Sequence, residues 1–403
     1  MKLFILYITL LLSAALLNAQ TFDAILRQVE RLPEASRAPV LDEYFRSKGF
    51  FPIVENDTVL HFVHYGTAHN VLVNGNLQHW DTPVQMERIP CGAYSLFYKT
   101  FTVPSNARLD YKLIIDGVSS IDPLNPYTTP SGYGPHSEVR MPRFVSSPYL
   151  IYRADIRHGT LDTLHTYGNV LPALRRYLPF TRPVIVYTPA GYDTAANLPS
   201  VYVQDGFEAI DFAMVPKILD NLIAEGRIPP VVAVFIPPAA RYEEYLGSQR
   251  EQYVRQLADD LVPLIDRNYK TSRAPEKRAV MGISAGATIS IAAVLRRPEV
   301  FRNAAGQSTT ITPWLMDLTR ERFGSDTAMP PLKIYFDCGR YDIMDVSTVF
   351  GTTDFLTLNS MYSNLLSSYR VPHYFKVVND GHEWASWRER MPEVFTYFFG
   401  IYR

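Results

Sequence analysis

Val280-Met281-Gly282-Ile283-Ser284-Ala285-Gly286-Ala287 is the stretch on which the reading of this chain turns. Lys277-Arg278-Ala279 leads into it, and the apolar run that follows has the length of a short buried strand. After it, Thr288 to Arg296 carries Ala, Ile and Leu at helical spacing. A Gly-x-Ser-x-Gly between a strand and a helix makes a turn so tight that only glycine fits beside the serine. The turn lifts the Ser284 hydroxyl clear of the backbone, next to the N-terminus of the helix. Three fixed positions alone arise by chance in roughly one chain of this length in ten. The setting between strand and helix is what gives them weight, and it asks the rest of the chain for a base, an acid and an oxyanion hole.

The 403 residues are enough for two domains with separate cores. A hydrophobic share of 47% and a charged share of 20% are those of a globular protein. The net charge of -1 argues against nucleic acid or an anionic membrane as the main partner. Residues 1–19 form an expected targeting segment: Lys2 is its charge, Leu3 to Leu17 is nearly all apolar, and Leu17-Asn18-Ala19 closes it. The run is too short to span a bilayer, so it reads as a secretory signal cut before Gln20 and places the protein outside the cytoplasm, secreted or periplasmic. No other stretch is expected to span a membrane. Cys91 and Cys338 fall in different expected domains, which disfavours a disulfide between them, and neither has metal-site spacing. No metal and no cofactor is expected.

Residues 20–56 read as a helical lead-in, with Ile25, Val29 and Leu32, then Val40, Leu41, Tyr44 and Phe45 at helical spacing on either side of Pro33. From Asp57 the period shortens. Thr58 to Tyr65, Val71 to Val73, Tyr94 to Lys99 and Leu109 to Ile115 are short β runs parted by Asn74-Gly75-Asn76, Pro104-Ser105-Asn106 and Asp116-Gly117. Such spacing indicates a small antiparallel sandwich over 57–143. His61 and His64 fall on opposite faces of one strand and cannot chelate a single metal. This stretch resembles the immunoglobulin-like domain, of glycogen-binding and isoamylase N-terminal type, that precedes many glycan-active enzymes. The resemblance rests on Val73-Asn74-Gly75-Asn76-Leu77-Gln78-His79-Trp80, Tyr111 to Gly117, and Asp122-Pro123-Leu124-Asn125-Pro126. It leaves open whether the domain binds sugar or only docks.

The Pro-rich run from Pro130 to Pro148 reads as a linker. Beyond it, over 144–403, strands and helices alternate. Val184 to Tyr187, Ser200 to Val203, Val231 to Ile236, the stretch before Ser284, Leu332 to Phe336 and Tyr374 to Val378 are expected strands. Helices are expected around Ala209 to Ala224, Glu251 to Asn268, Asp354 to Ser368 and Trp387 to Phe399. The fold class is therefore α/β: a mostly parallel sheet covered by helices on both faces, an α/β-hydrolase fold, preceded by the sandwich.

In hydrolase order the base follows the acid, and both follow the nucleophile. His382, in Asn379-Asp380-Gly381-His382-Glu383-Trp384, lies just after the last strand, where this fold collects its site residues. It is the expected general base; His373 opens a strand and reads as structural. Asp337-Cys338-Gly339-Arg340-Tyr341-Asp342 offers two candidate acids, Asp342 beyond a glycine turn and Asp337 at the strand end. Asp342 is favoured, with Asp337 open and Asp345 and Glu383 as outside choices. The oxyanion donors are expected at the backbone N–H of Ala285 and of Gly206 or Phe207, in Gln204-Asp205-Gly206-Phe207.

Residues 150–403 resemble the esterase D superfamily, in its enterochelin-esterase-like branch with feruloyl and acetyl-xylan esterase relatives. The carrying motifs are Val186 to Asp193, Val203 to Gly206, Arg241 to Tyr245, Leu261 to Asp266, the serine turn, Cys338 to Asp342 and Gly381 to Arg388. The resemblance implies Ser284 as nucleophile, His382 as base and, less firmly since relatives vary in their acid, Asp342. It also places the Arg241 to Tyr245 loop at a substrate cleft, although an ion pair of Arg241 with Glu243 or Glu244 is the alternative; of the residues flanking His382, Trp384 is read as a cleft wall and Trp387 as packing. Ala287 and Asp380 stand where relatives usually carry glycine. The expected protein is an exported, cofactor-independent serine esterase acting on acyl or feruloyl esters of glycans. A siderophore trilactone esterase, an acyltransferase and a non-catalytic glycan-binding protein are the alternatives. The oligomeric state is not legible.

Overall fold

A computed structural model describes residues 20–49, 51–165, 183–325, 329–345 and 350–401; the expected targeting segment lies outside them. The chain divides into two compact units, Met1–Val145 and Ser146–Arg403.

In the first unit, the lead-in helices Phe22–Arg31 and Arg37–Lys48 pack onto the sandwich. Phe22, Ile25, Val29, Leu41 and Tyr44 share one buried cluster with Val63, Ile89 and Leu96 of the sheet. The Phe22 backbone N–H donates to Glu55 at 2.8 Å, tying the first turn to the strand Ile53–Glu55. That strand pairs with Val59–Gly66, so the sandwich begins a few residues before 57. One sheet holds Ile53–Glu55, Val59–Gly66, Tyr94–Thr102 and Glu87–Cys91; the other is built around Val71–Gly75, Arg108–Ile115 and His136–Arg140. His136–Arg140 corrects the expected linker from Pro130, because its backbone pairs antiparallel with Arg108–Tyr111. Proline content had masked a short strand whose first four residues are buried, Glu138 within a polar network. There Arg108 is fully enclosed, chelating Asp110 at 2.8 and 2.9 Å and Glu138 at 2.7 Å.

Among the described residues the main sheet of the second unit has eight strands: β1 (Thr160–His165), β2 (Pro183–Thr188), β3 (Ser200–Gln204), β4 (Val232–Ile236), β5 (Arg278–Ile283), β6 (Asn303–Gln307), β7 (Lys333–Tyr341) and β8 (His373–Gly381). Their order is β1-β2-β4-β3-β5-β6-β7-β8, antiparallel in the β1-β2 and β2-β4 pairs and parallel from β4 onward. Strand residues alternate between two cores. Val184, Tyr202, Val234, Val280, Ala304 and Phe336 face one, covered by helices Ala285–Arg296, Pro313–Phe323 and Phe355–Ser368. Ile185, Val203, Ala233, Met281, Ala305 and Tyr335 face the other, covered by Val215–Ala224 and Trp384–Phe399. Period-two alternation with both faces apolar is what a sheet buried between helix layers requires.

Strand β1 was not expected, the helix expected over Ala209 to Ala224 is two, Gly206–Asp211 and Val215–Ala224, and two further features depart from the expectation. The helix expected over Glu251 to Asn268 is three pieces, Arg250–Gln256, a π turn at Leu257–Leu261 and Val262–Asn268. Pro263 has no N–H to donate to the preceding turn, and the wider π turn absorbs the mismatch. Strand β6 was not expected at all. Asn303-Ala304-Ala305-Gly306-Gln307 has no β-branched or aromatic residue, and its strand character comes from lying between two parallel neighbours. Gly306 has its own reason: a Cβ there would stand 2.5 Å from Thr309 Oγ1 and 3.0 Å from Ala287 Cβ. The methyl of Ala287 is thus accommodated by a glycine on the next strand.

Candidate active site

Ser284 joins β5 to the helix Ala285–Arg296 with φ 55° and ψ -120°, a backbone conformation that side-chain-bearing residues rarely adopt. The flanking glycines are required by close approach. A Cβ on Gly282 would lie 2.3 Å from the Gly286 carbonyl oxygen, and one on Gly286 3.0 Å from Asp205 Oδ2. Ser284 N–H donates to the Gln307 carbonyl at 2.9 Å, and the Ser284 carbonyl accepts from Thr310 N–H at 3.2 Å. Ser284 Oγ lies 3.3 Å from Thr310 Oγ1, which is its hydrogen-bond partner among the described residues. The structure therefore holds the hydroxyl against Thr310 rather than against a histidine.

Strand register carries the other groups to the same edge. Ile283 is aligned with Gln307 and Gln307 with Asp337, so the Ser284 turn and the end of β6 are neighbours. Strand β7 runs on to Tyr341, aligned with Gly381 after an irregularity between Gly339 and Tyr341. Asp342 and His382 are each the next residue. Gly339 is needed there, since a Cβ would meet the Asp380 carbonyl at 2.4 Å. His382 Nδ1 stands 2.5 Å from Asp342 Oδ1. The ring is packed edge-on to Phe355 at 5.2 Å and Trp387 at 4.8 Å.

Asp342 is buried, and Asp337, its rival as acid, is placed differently. Asp337 takes Arg390 at 3.0 Å, Tyr335 at 3.1 Å and Gln307 at 3.2 Å. Arg390 also reaches Asp380, which gives that departure from glycine a structural partner. Burial by itself would raise the Asp342 pKa. The charge and hydrogen bond of His382, with donors from Ser308 Oγ and the Ile343 N–H, outweigh it and hold the carboxyl below its ordinary range. The neighbouring Cys338 thiol is pushed well above its ordinary value by burial first and then by Asp342. Cys91 and Cys338 are both buried free thiols.

The expected oxyanion donors sit at two helix starts. Ala285 is the first residue of its helix, and Gly206 and Phe207 are the first two of Gly206–Asp211. N–H groups at these positions have no acceptor within the helix and point out of it. Asp205 turns into that helix in the left-handed region, φ 53°. Gly206 is glycine because a Cβ would stand 2.6 Å from the Ile236 nitrogen.

Arg241 pairs with neither Glu243 nor Glu244, in contrast to the alternative read from sequence. Its Nε and Nη2 take the two Asp205 oxygens at 2.8 Å each, and Nη2 approaches the Ile283 carbonyl at 3.4 Å. Glu243 instead accepts from Ser248, and Glu244 from the Ala239 N–H. Trp384 is half-buried, 5.4 Å edge-on from Trp387 and 6.3 Å from Phe212. Trp387 does more than pack: its indole N–H donates to Ser308 Oγ at 2.8 Å. Ser308 and Thr310 were both missed from sequence. Their signal, a run of hydroxyl residues at the carboxyl end of a strand beside the serine turn, was invisible while β6 was unrecognised.

The family model of the Esterase family matches residues 177–398. This chain belongs to the Esterase family. The Bacillus subtilis protein YbbA is 30% identical over 135 residues, 30% of this chain and 53% of that protein. An endo-1,4-beta-xylanase/feruloyl esterase of Xylanibacter ruminicola is 27% identical over 166 residues, 38% of this chain and 22% of that protein. The chain thus spans about half of YbbA. Among solved structures, the enterobactin esterase FES of Shigella flexneri, crystallised with enterobactin, superposes with a TM-score of 0.66 at 17% identity. That match covers 91% of this chain and 98% of the other, so the likeness of fold takes in both units. No described helix is long and apolar enough to cross a membrane.

Proposed function

We propose that this esterase-family protein is an exported serine carboxylic-ester hydrolase in which Ser284 is the nucleophile, His382 the base and Asp342 the acid. The observation that carries the reading is the strained Ser284 turn, at φ 55°, on the same sheet edge as a His382–Asp342 pair at 2.5 Å. Substrate draws the Ser284 hydroxyl from Thr310 toward His382 Nε2, which accepts its proton as Oγ attacks the ester carbonyl. Asp342 holds Nδ1–H and so presents Nε2 as the basic nitrogen. The N–H of Ala285 with that of Gly206 or Phe207 receives the developing oxyanion. Collapse of the tetrahedral intermediate, with the proton passed from His382 to the departing alcohol, leaves an acyl-enzyme. Water deprotonated by His382 then releases the acid and restores Ser284.

For the substrate we infer an acyl or feruloyl ester of a glycan. The N-terminal sandwich and the stretch shared with the xylanase/feruloyl esterase support it. A trilactone of enterochelin type is the second reading, favoured by a likeness to an enterobactin esterase that runs through both units. Hydrolysis of p-nitrophenyl acetate, a feruloylated arabinoxylan oligosaccharide and enterobactin, by wild type and Ser284→Ala, tests both levels. Activity lost in Ser284→Ala supports the mechanism, and the preferred ester selects the substrate class. Equal inactivity of the two on all three esters would instead favour a non-catalytic glycan-binding protein, and transfer of the acyl group to added sugar an acyltransferase.

A further inference from the structure

We propose that Ser308 and Trp387 form a positioning pair that sets the orientation and basicity of the His382–Asp342 couple, an inference that rests on the catalytic reading above. Four contacts close a ring. Trp387 Nε1–H donates to Ser308 Oγ at 2.8 Å, and Ser308 Oγ–H donates to Asp342 Oδ2 at 2.5 Å. Asp342 Oδ1 takes His382 Nδ1 at 2.5 Å, and the His382 ring rests edge-on against Trp387 at 4.8 Å. An indole has one proton and no acceptor, so Trp387 must donate. The only proton of the Ser308 hydroxyl is then directed at the carboxylate, and the direction of every bond in the chain is fixed.

The backbone is organised to hold this arrangement. Ser308 is fully buried and lies in the left-handed region at φ 49°, an uncommon conformation for serine. Its N–H donates to the Asp337 carbonyl at 2.7 Å, which pins the end of β6 to β7. Trp387 sits one turn into the helix Trp384–Phe399, buried in the core beneath the sheet. Strands β6 and β7, the His382 loop and this helix therefore meet in one ring of side chains. Two further groups bear on Asp342 among the described residues: the Cys338 thiol, 3.5 Å from Oδ2, and the Ile343 N–H, 2.9 Å from Oδ1. Neither places a full charge beside it. Asp337, Arg390 and Asp380, the nearby charges, are engaged with one another.

A hydroxyl that donates to Asp342 withdraws negative charge from it and restrains its rotation about the Cβ–Cγ bond. Ser308→Ala removes both effects. The carboxylate becomes a stronger partner for the imidazolium, so the acid limb of kcat/KM moves to higher pH, and kcat falls roughly 10- to 100-fold as orientation is lost, with KM little changed. Trp387→Phe keeps the ring against His382 but removes the N–H that polarises Ser308. It should shift the limb in the same direction by less, and the double variant should behave like Ser308→Ala alone. The far-downfield proton resonance of His382 Nδ1–H is read in parallel and needs no substrate; it should move in both single variants. Circular dichroism and thermal melts establish that the variants are folded, and Trp387→Phe carries the test should Ser308→Ala fail to fold. An unmoved resonance and acid limb in a folded variant, or additive losses in the double variant, would overturn the positioning pair. A moved resonance in a protein inactive on every ester would keep the pair and overturn the catalytic reading.

Discussion

Arg241→Gln removes a guanidinium that chelates Asp205 through two contacts of 2.8 Å and leans on the Ile283 carbonyl. Asp205 is 3% exposed and Arg241 29% exposed, so the carboxylate is the group stranded when its partner goes. Breaking a fully buried pair costs about 3–5 kcal/mol. Because Arg241 is partly wet and screened, the expected cost here is about 2–3 kcal/mol. That corresponds to about 5–10 °C in the melting of the C-terminal unit. Asn at 205 keeps a side chain that tolerates φ 53° and carries no charge, so Asp205→Asn removes the stranded charge. The double variant should be no less stable than Asp205→Asn, giving a coupling of at least about 2–3 kcal/mol, the full cost of Arg241→Gln alone. Urea unfolding followed through the Trp314, Trp384 and Trp387 fluorescence measures it. Asp205 also leads into the proposed Gly206 or Phe207 donor, and Ile283 into Ser284. The strap thus ties together the two loops of the proposed oxyanion hole, and Arg241→Gln should lower kcat about 10- to 100-fold with KM little changed. Additive stabilities, or a kcat within twofold of wild type, would refute the strap and return Arg241 to the substrate cleft.

Three further outcomes follow from the same geometry. Gly282→Ala sets a methyl 2.3 Å from the Gly286 carbonyl, which is backbone and cannot step aside; soluble yield should collapse, whereas Gly286→Ala, 3.0 Å from a side-chain oxygen, should fold and lose activity. Asp342→Asn should lower kcat on the order of 10³–10⁴-fold, while Asp337→Asn, which weakens the buried Arg390 cluster, should cost about 2–4 kcal/mol in urea unfolding and leave the pH profile in place. The folded Asp342 pKa is depressed, so its stabilisation is present above its unfolded value of about 3.9 and is lost as pH falls through the folded one. Acid unfolding of Asp342→Asn should therefore be flatter below about pH 4 than that of wild type, and an unchanged slope would count against the depressed pKa.

The fold was legible where apolar residues recur without interruption. Val184 to Tyr187, Val231 to Ile236 and Leu332 to Phe336 could only be strands buried on both sides, and each falls in or on the strand expected. The first unit was legible through its turns, but its edges were not. Ile25 and Val29 pattern as one face of a helix that must pack onto a neighbour, and tertiary structure alone shows that Val63 and Leu96 cover it. Likewise His136–Arg140 reads as a polar run in a proline-rich stretch because its inward side chains are hydrogen-bonded rather than apolar.

In the site, legibility follows how each group is specified. Ser284, His382 and Gly206 announce themselves because a local backbone requirement restricts the residues around them: the Gly282 and Gly286 approaches, the loop after β8, the Gly206 contact with Ile236. Asp337, midway along β7, and Asp342, just past its end, are five positions apart, and sequence could favour one without excluding the other. Their separation depends on how far β7 runs past β6 and on the irregularity at Gly339, which are matters of register between strands distant in the chain. Ser308 depends on more. Its position follows from a strand of Asn, Ala, Gly and Gln that is a strand only because β5 and β7 pair with it. Its partner Trp387 comes from a helix almost eighty residues later. Groups that act on substrate through their own chemistry must occupy turns with strict backbone demands, and those demands are written locally. Groups that orient them need only arrive at the right distance, so their instructions are spread over the elements that deliver them. On that argument the residues hardest to find by motif in this fold are the ones that tune the acid, and substitutions at Ser308 and Trp387 should alter the pH dependence of the reaction while the motif Gly282 to Gly286 stays intact.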